Sequence, residues 1–204
     1  MQAPFTGKLF VISAPTGGGK TTVARRVLQQ IGSLMPISKV ITYTTRQPRS
    51  NELPDIDYHF VTAKEFLAKK EQGFFLETTT YDTAWYGSPA SIKTDLAKGK
   101  SFIMVTDRPG ACVLKTLVPE AVLIWITVPS PAVIAQRLEQ RGTESAEQLK
   151  RRLALATQEI TIEREEPIFA YHVVNDNLET TANEVIAIIS SQTGYNLTKQ
   201  SPAF

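Results

Sequence analysis

Short runs of apolar residues alternate along this chain with stretches in which apolar residues recur at helical spacing. The run Leu9 to Ser13, bounded by Gly7 and Pro15, predicts a buried strand. The next segment, Lys20 to Ile31, predicts a helix because its apolar residues fall on one face. The same alternation predicts strands at Lys39–Thr42, Ser101–Val105, Ala121–Val128 and Tyr171–Val174, and helices ending at Leu117, about Arg141 and Gln192. This order indicates an α/β fold with a largely parallel sheet.

Two segments interrupt the alternation and are predicted to be insertions into one core. Residues 42–98 are rich in proline, threonine and tyrosine, with short strand-like pieces at Tyr58–Val61 and Phe74–Thr80. A capping box at Thr62–Glu65 predicts a helix that ends at Gly73. Residues 142–167 are highly charged and helical in pattern. We expect one domain whose core comprises residues 1–41, 99–141 and 168–195.

Composition narrows the class of protein. The chain has 204 residues, of which 42% are apolar and 21% charged, so disorder, collagen and coiled coil are excluded. The net charge of +2 gives no general electrostatic case for a nucleic-acid partner. The longest apolar run, Ala121–Val128, is too short to cross a membrane, and no signal peptide is visible. A single cysteine, Cys112, fits a reducing compartment, so a cytoplasmic location is expected.

A glycine-rich loop joins the first strand to the first helix. Its glycines allow backbone N–H groups to surround phosphate oxygens, and the helix that follows presents its positive end to the same anion. Lys20 is positioned to reach the β and γ phosphates, and the Thr21 hydroxyl to hold Mg²⁺. An ordinary turn is the alternative, and Ala14 replaces the first glycine of the usual motif. The predicted phosphate-loop residues are Ala14, Pro15, Thr16, Gly17, Gly18, Gly19, Lys20, Thr21 and Thr22.

A second candidate phosphate site follows the second predicted strand. Arg46 and Arg49 bracket a turn stiffened by Pro48, so both guanidinium groups can converge on one phosphate. An arginine pair in a loop is otherwise more typical of a solvated surface. Its position beside a phosphate loop favours the phosphate site.

Together these motifs resemble the guanylate kinases, a family of nucleoside monophosphate kinases. The resemblance extends from Lys8 to about Ile189. It rests on APTGGGKTT (14–22), TTRQPR (44–49), Glu52, Asp57-Tyr58, FLE (75–77), YGS (86–88), Asp107 with Gly110, RLEQRGTES (137–145), KRRL (150–153) and VNDN (174–177). Several independent motifs in the same order make this resemblance more specific than any one of them.

The resemblance implies a P-loop NTPase core, a GMP-binding insertion at 42–98 and a helical lid at 142–167. It implies transfer of the γ-phosphoryl group of ATP to GMP, with Mg²⁺. Two alternatives stay open: a kinase of another nucleoside or ribosyl phosphate, and an inactive binding module. Lys20, Thr21 and the lid arginines favour an active enzyme. The expected partners are ATP and GMP, with no nucleic acid and no membrane, and the oligomeric state is open to a homodimer.

The resemblance also implies roles for individual residues. The GMP site would comprise Thr42, Arg46, Arg49, Glu52, Tyr58, Glu77, Tyr86, Gly87 and Ser88. The ATP site would comprise the phosphate loop and Asn175. Catalysis would rest on Lys20, Arg46, Arg137, Arg141, Arg152 and Asp107, with Thr21 and Asp107 holding Mg²⁺ mostly through water. Both histidines, His59 and His172, are expected to be structural.

Four departures from the family pattern stand out. Val105 occupies a position where the family usually has an acidic residue that helps to recognise guanine. A core role is the alternative, because Val105 continues the apolar run 102–104. Thr42 replaces a serine, which keeps the hydroxyl. The remaining departures are Asn51 and Asp55 in place of glycines, and Arg108-Pro109 in place of an apolar residue followed by glutamine.

Overall fold

The computed structural model describes residues 7–49, 52–81, 83–141 and 145–196, and it has two sheets. The core sheet has five strands, which are β1 (Leu9–Ser13), β2 (Ile37–Lys39), β7 (Ser101–Val105), β8 (Val122–Thr127) and β9 (Tyr171–Val174). Their order in the sheet is β2-β7-β1-β8-β9, and all neighbouring strands are parallel. The helices are α1 (Lys20–Ile31), α2 (Ala63–Glu71), α3 (Ser91–Ala97), α4 (Arg108–Leu117), α5 (Pro131–Arg141), α6 (Ala146–Glu165) and α7 (Leu178–Thr193).

Helices cover both faces of the core sheet. Phe10 and Ile12 of β1 join the apolar cluster formed with α1 and α7. Leu9 and Val11 point to the opposite face and pack with residues of α3 and α4. Since successive side chains of a strand alternate between faces, a strand covered on both sides needs a continuous apolar run. The sequence of β1 has this pattern, and every one of its residues is buried.

The second sheet lies within residues 42–98 and carries much of the candidate acceptor site. Its order is β4-β3-β6-β5, where β3 is Thr42–Thr44, β4 Tyr58–Phe60, β5 Phe75–Tyr81 and β6 Ala84–Pro89. The helix α2 begins at the predicted capping box, in which the side chains of Thr62 and Glu65 bond each other's backbone N–H. Its buried Phe66 stacks on Phe75 of β5, with ring centroids 4.6 Å apart.

Most elements lie where the sequence predicts them, but three regions differ. The predicted strand Lys39–Thr42 is wrong: β2 ends at Lys39 in the core sheet, and β3 begins at Thr42 in the second sheet. The chain changes sheets there, although the Val40 amide still donates to the Ile103 carbonyl. The strand β6 and the helix α3 were not predicted. None of the helices in the described part of the chain has the length and apolar character needed to cross a membrane.

Candidate active site

A cleft of about 510 Å³ lies between the phosphate-loop edge of the core sheet and the second sheet. Both candidate phosphate sites open into it. The predicted site residues that line it are Thr16, Gly17, Gly19, Lys20, Thr21, Thr22, Thr42, Arg46, Arg49, Glu52, Tyr58, Tyr86, Asp107 and Arg152. A smaller pocket adjoins the loop and is lined in part by Gly17, Gly19, Arg137 and Asn175. The sequence motifs that are far apart along the chain therefore meet at one place.

The phosphate loop leads from β1 directly into α1. Gly17 and Gly19 have φ values of 78° and 94°, a left-handed backbone that glycine adopts without the steric cost of a side chain. A Cβ on Gly19 would also lie only 2.5 Å from the Asn175 amide nitrogen. Ala14, the departure from the motif, is fully buried in the core cluster. The loop therefore keeps its tight form without a glycine at its first position.

Two side chains predicted to face ATP also brace this loop. The Asn175 amide nitrogen donates to the Gly18 carbonyl at 2.9 Å, and Arg137 donates to the Asn175 carbonyl at 2.8 Å. Thr181 donates to the Asn175 amide oxygen at 3.3 Å. These contacts hold the backbone of the loop at Gly18.

The candidate acceptor-phosphate site is a cluster of side chains with opposite charges. Arg46 donates to both carboxylate oxygens of Glu52 at 2.9 Å, and Arg49 donates to the same carboxylate from its backbone and its side chain. Arg46 also donates to the Tyr86 hydroxyl at 3.3 Å and lies 5.5 Å above the centre of the Tyr58 ring. Both guanidinium groups are thus already arranged around one anionic group.

Strand register brings the two tyrosines to this cluster. In the second sheet, Thr42 pairs with Tyr58 of β4, and Thr44 pairs with Tyr86 of β6. The two tyrosine rings therefore lie with centroids 6.1 Å apart. Burial, with the neighbouring Tyr86 hydroxyl, raises the pKa of Tyr58 to about 12. Tyr58 consequently keeps its proton and can donate a hydrogen bond at neutral pH.

Glu77 of β5 is a buried carboxylate near Ser88 and Asp107, and it is not among the described residues that line the cleft. Ser88 on the neighbouring strand donates to its Oε1 at 2.7 Å. Its Oε2 is buried and has no hydrogen-bond partner among the described residues. Burial, and to a lesser extent the charge of Asp107, raises the pKa of Glu77 to about 7. Because an unpaired buried acceptor is unfavourable, the arrangement suits a ligand that donates hydrogen bonds.

Asp107 lies just beyond the end of β7 and caps the helix α4. Its carboxylate accepts a hydrogen bond from the Gly110 amide at 2.7 Å. Burial raises the pKa of Asp107, and the hydrogen bond from Gly110 and the positive charge of Lys20 offset only part of that rise. A Cβ at position 110 would overlap the Thr106 hydroxyl and lie 2.9 Å from the Asp107 carboxylate, which explains the glycine there. Asp107 and the Thr21 hydroxyl therefore offer the oxygen ligands that Mg²⁺ prefers.

The contacts of Asp57 were not predicted, because the sequence gives this residue only as part of the Asp57-Tyr58 match. Asp57 is buried and accepts hydrogen bonds from Arg25 of α1, at 2.8 Å, and from the Leu53 amide. Although burial alone would raise it, these hydrogen bonds hold the pKa of Asp57 below its usual value. Lys39 donates to the Asp57 carbonyl at 2.8 Å. Asp57 thus ties the loop before Tyr58 to the core, a role that only the fold reveals.

The departures from the family pattern have distinct settings. Val105 ends β7, where it lines the cleft and belongs to the same apolar cluster as Ile12. Asp55, which stands where the resemblance places a glycine, has a left-handed backbone with φ 62° and pairs with His59. Arg108 forms an ion pair with Glu163 of α6 at 3.0 Å. Asn51 and the side chain of Arg141 lie outside the described residues.

Comparison with known proteins identifies relatives along almost the whole chain. The family model for guanylate kinase matches residues 6–192. The guanylate kinase of Hahella chejuensis is 38% identical over 187 residues, covering 91% of this chain and 87% of the relative. That of Nitrosomonas europaea is 39% identical over 186 residues, covering 90% and 89%.

A solved structure supports the same relationship. The crystal structure of guanylate kinase from Anaplasma phagocytophilum matches with a TM-score of 0.73 at 27% identity, covering 95% of this chain and 89% of that one. The parallel core sheet and its phosphate loop thus form a P-loop NTPase core. With a family-model match over nearly all of its length, this chain belongs to the guanylate kinase family.

Proposed function

We propose that this protein transfers the γ-phosphoryl group of ATP to the phosphate of GMP, forming ADP and GDP. The bond between the β–γ bridging oxygen and the γ phosphorus breaks as a GMP phosphate oxygen bonds to that phosphorus. The observation that carries the proposal is that two differently built phosphate sites face one cleft. One is a glycine-rich loop ahead of a helix, and the other is a cluster of arginines and tyrosines. Such a pair suits one donor and one acceptor, both phosphorylated.

On the donor side, the backbone amides between Ala14 and Thr22 would hold the ATP phosphates. Lys20 would neutralise charge on the β and γ phosphates as it develops. Asn175 would bound the nucleoside end, since it lines the smaller pocket beside the loop. The Thr21 hydroxyl and Asp107 fit Mg²⁺, held mostly through water. When bound, the ion supplies further positive charge at the phosphates.

On the acceptor side, the side chains of Arg46, Arg49, Tyr58 and Tyr86 would bind the GMP phosphate. Glu52 already engages both arginines, so it would orient them for the phosphate. Glu77 would accept from the donor edge of guanine, which carries N1–H and N2–H₂. Thr42, Gly87 and Ser88 complete the proposed pocket, with the Ser88 hydroxyl fixing one Glu77 oxygen.

The transfer itself needs alignment and positive charge rather than a general base, because the acceptor phosphate is already a nucleophile. Arg152 lines the cleft and would act on the transferring group together with Lys20, Arg137 and Arg141. Closure of the lid, residues 142–167, over the insertion at 42–98 would exclude water. Without water in the cleft, ATP hydrolysis is suppressed.

We further propose a cytoplasmic location, for which the single cysteine is the supporting observation. A homodimer stays a prediction, which light scattering after size-exclusion chromatography tests. The reaction is tested by measuring ADP formation from ATP and Mg²⁺ with GMP, IMP, AMP, CMP and UMP in turn. GMP should be the best acceptor, and IMP, which lacks N2–H₂, should be markedly poorer. A clear preference for another acceptor would overturn the proposal.

A further inference from the structure

Two carboxylates on the long helix α6 are buried, although this helix belongs to the highly charged segment 142–167. Glu159 and Glu163 have only 6% and 2% of their surfaces exposed. They are one helical turn apart, on the same face as buried Ala156. Arg152 lies two turns before Glu159, about 10 Å along the helix axis at 1.5 Å per residue. The inward face of α6 therefore carries one arginine at the cleft and two buried acids behind it.

Glu159 contacts the phosphate loop directly. Its Oε2 accepts a hydrogen bond from the backbone amide of Thr16 at 2.9 Å, in a buried setting. Burial raises the pKa of Glu159, and the positive charge of Lys20 offsets part of that rise. The buried hydroxyl of Tyr81, at the end of β5, lies beside both Glu159 and Thr16. Segments from α6, the phosphate loop and the second sheet thus meet at one carboxylate.

Glu163 has a different set of contacts, all at the far end of α6. It accepts hydrogen bonds from Arg108 at 3.0 Å, from the Ile168 amide at 3.1 Å and from the Phe169 amide at 3.3 Å, and its Oε1 lies 3.2 Å from His172. None of these described partners of Glu163 belongs to the phosphate loop or to the lining of the cleft. Its hydrogen bonds therefore anchor the end of α6 to the core. Glu163 is therefore a control for Glu159 on the same helix, with similar burial.

We propose that Glu159 is a positioning residue for phosphoryl transfer. By accepting a hydrogen bond from the Thr16 amide, Glu159 fixes the position of α6 relative to the phosphate loop. It thereby holds Arg152 over the transferring group. Glu159 acts through the helix and touches no substrate. The inference rests on the proposed function, because Arg152 matters here only if a phosphoryl group moves within this cleft.

The test compares matched alanine substitutions one turn apart. Glu159→Ala should lower kcat about tenfold and leave KM for ATP and GMP within about twofold, because only the alignment of Arg152 is lost. Glu163→Ala should lower the melting temperature more than Glu159→Ala does, and keep kcat within about threefold. Glu159→Gln should recover most of the lost kcat, because its amide oxygen can still accept from Thr16.

The coupling to Arg152 is tested with the double variant. If Glu159 acts through Arg152, then Arg152→Ala/Glu159→Ala should match the kcat of Arg152→Ala within about twofold. A further tenfold loss would overturn this route, as would unchanged kcat in Glu159→Ala, or losses in the two glutamate variants that merely follow their melting temperatures. Absence of GDP formation by the wild-type protein would instead overturn the proposed function itself, and this inference with it.

Discussion

The donor and acceptor sides of the cleft are built on different principles. The proposed donor side is nine consecutive residues, Ala14 to Thr22, which would bind phosphate mainly through backbone amides and which include two glycines with a left-handed backbone. The acceptor side gathers side chains from separate strands and loops between residues 42 and 88. A site made of backbone depends on local conformation and can be read from a short motif. A site made of side chains depends on strand register, which a motif does not encode.

The two sides also differ in how their charge is balanced. On the acceptor side, Glu52 forms ion pairs with both Arg46 and Arg49, so the charges of the arginines are compensated. On the donor side, burial raises the pKa values of Asp107 and Glu159, and the positive charge of Lys20 offsets part of that rise. Removing a cation should therefore have different consequences on the two sides.

The largest effect is expected at the donor side. Lys20→Ala should lower kcat by roughly 10²–10³-fold, the usual scale for one preorganised group that stabilises transition-state charge. The melting temperature should fall only modestly, because Lys20 lies at the cleft rather than in the core and its loss removes one positive charge near the buried carboxylates of Asp107 and Glu159. The matched control is Arg26→Ala, a cation on the same helix that pairs with Glu179 away from the cleft. Near-normal turnover in Lys20→Ala would exclude the donor assignment.

The acceptor side should respond through affinity rather than turnover. Arg46→Ala should raise KM for GMP about 10–100-fold, because charge-assisted hydrogen bonds contribute roughly 1.5–3 kcal/mol. Arg152→Ala, on the lid side of the same cleft, should instead lower kcat more than it raises KM. Steady-state kinetics with both substrates varied provides the measurement. Indistinguishable profiles for Arg46→Ala and Arg152→Ala would contradict the proposed division of roles.

A smaller effect, specific for the base, concerns the pH dependence set by Glu77. Its pKa is about 7 in the folded protein, against an ordinary value of 4.5. Because the pKa of Glu77 is raised in the folded protein, protonated Glu77 stabilises the fold fully below about pH 4.5, and this stabilisation is lost as the pH rises through about 7. GMP binding should instead favour ionised Glu77, because the guanine N–H groups donate hydrogen bonds to its carboxylate. KM for GMP should therefore fall several-fold between pH 6 and pH 8.

The control for this prediction is Glu77→Gln, which keeps the shape of the side chain without a titrating group. The phosphate of GMP also titrates near pH 6, in the range of other phosphate monoesters, and does so equally with both proteins. The difference between the two pH profiles thus isolates Glu77. Parallel profiles would show that Glu77 does not meet the base. Thermal melts over the same range should show the wild type losing stability relative to Glu77→Gln as pH rises.

The same contrast explains what could be predicted from the sequence. Strands such as β1 and β7 were placed correctly because burial on both faces requires a continuous apolar run. The segment Lys39–Thr42 also contains an apolar run, but β2 of the core sheet ends at its first residue and β3 of the second sheet begins at its last. The strand β6 was missed because Gly87, Ser88 and Pro89 are typical of loops, and its pairing partners lie in β3 and β5.

Buried charge was not predicted from the sequence. The pattern of residues 142–167 predicts a charged helical segment, but it does not indicate that Glu159 and Glu163 are buried. Their burial is made favourable by partners distant in sequence, Thr16 for Glu159 and Arg108 for Glu163. No local pattern contains such pairs, so only the tertiary structure could reveal them.

The smallest expected effect concerns Val105, which both lines the cleft and packs in the core. A carboxylate there could accept from guanine, which contributes roughly 1.5–3 kcal/mol for a charge-assisted hydrogen bond. Burying it beside apolar neighbours costs about 1–3 kcal/mol on the scale of protein mutations. The net gain should thus be small, and Val105→Asp should lower KM for GMP about threefold while leaving KM for ATP unchanged.

The controls separate charge from shape at this position. Val105→Thr keeps the branched shape without a charge, and Val105→Asn adds a polar group of the size of aspartate. Both should leave KM for GMP unimproved, because neither supplies an anionic acceptor. A lower melting temperature in Val105→Asp with no gain for GMP would mean that the core role of Val105 dominates. Recognition of guanine would then rest on Glu77, whose buried Oε2 has no partner among the described residues.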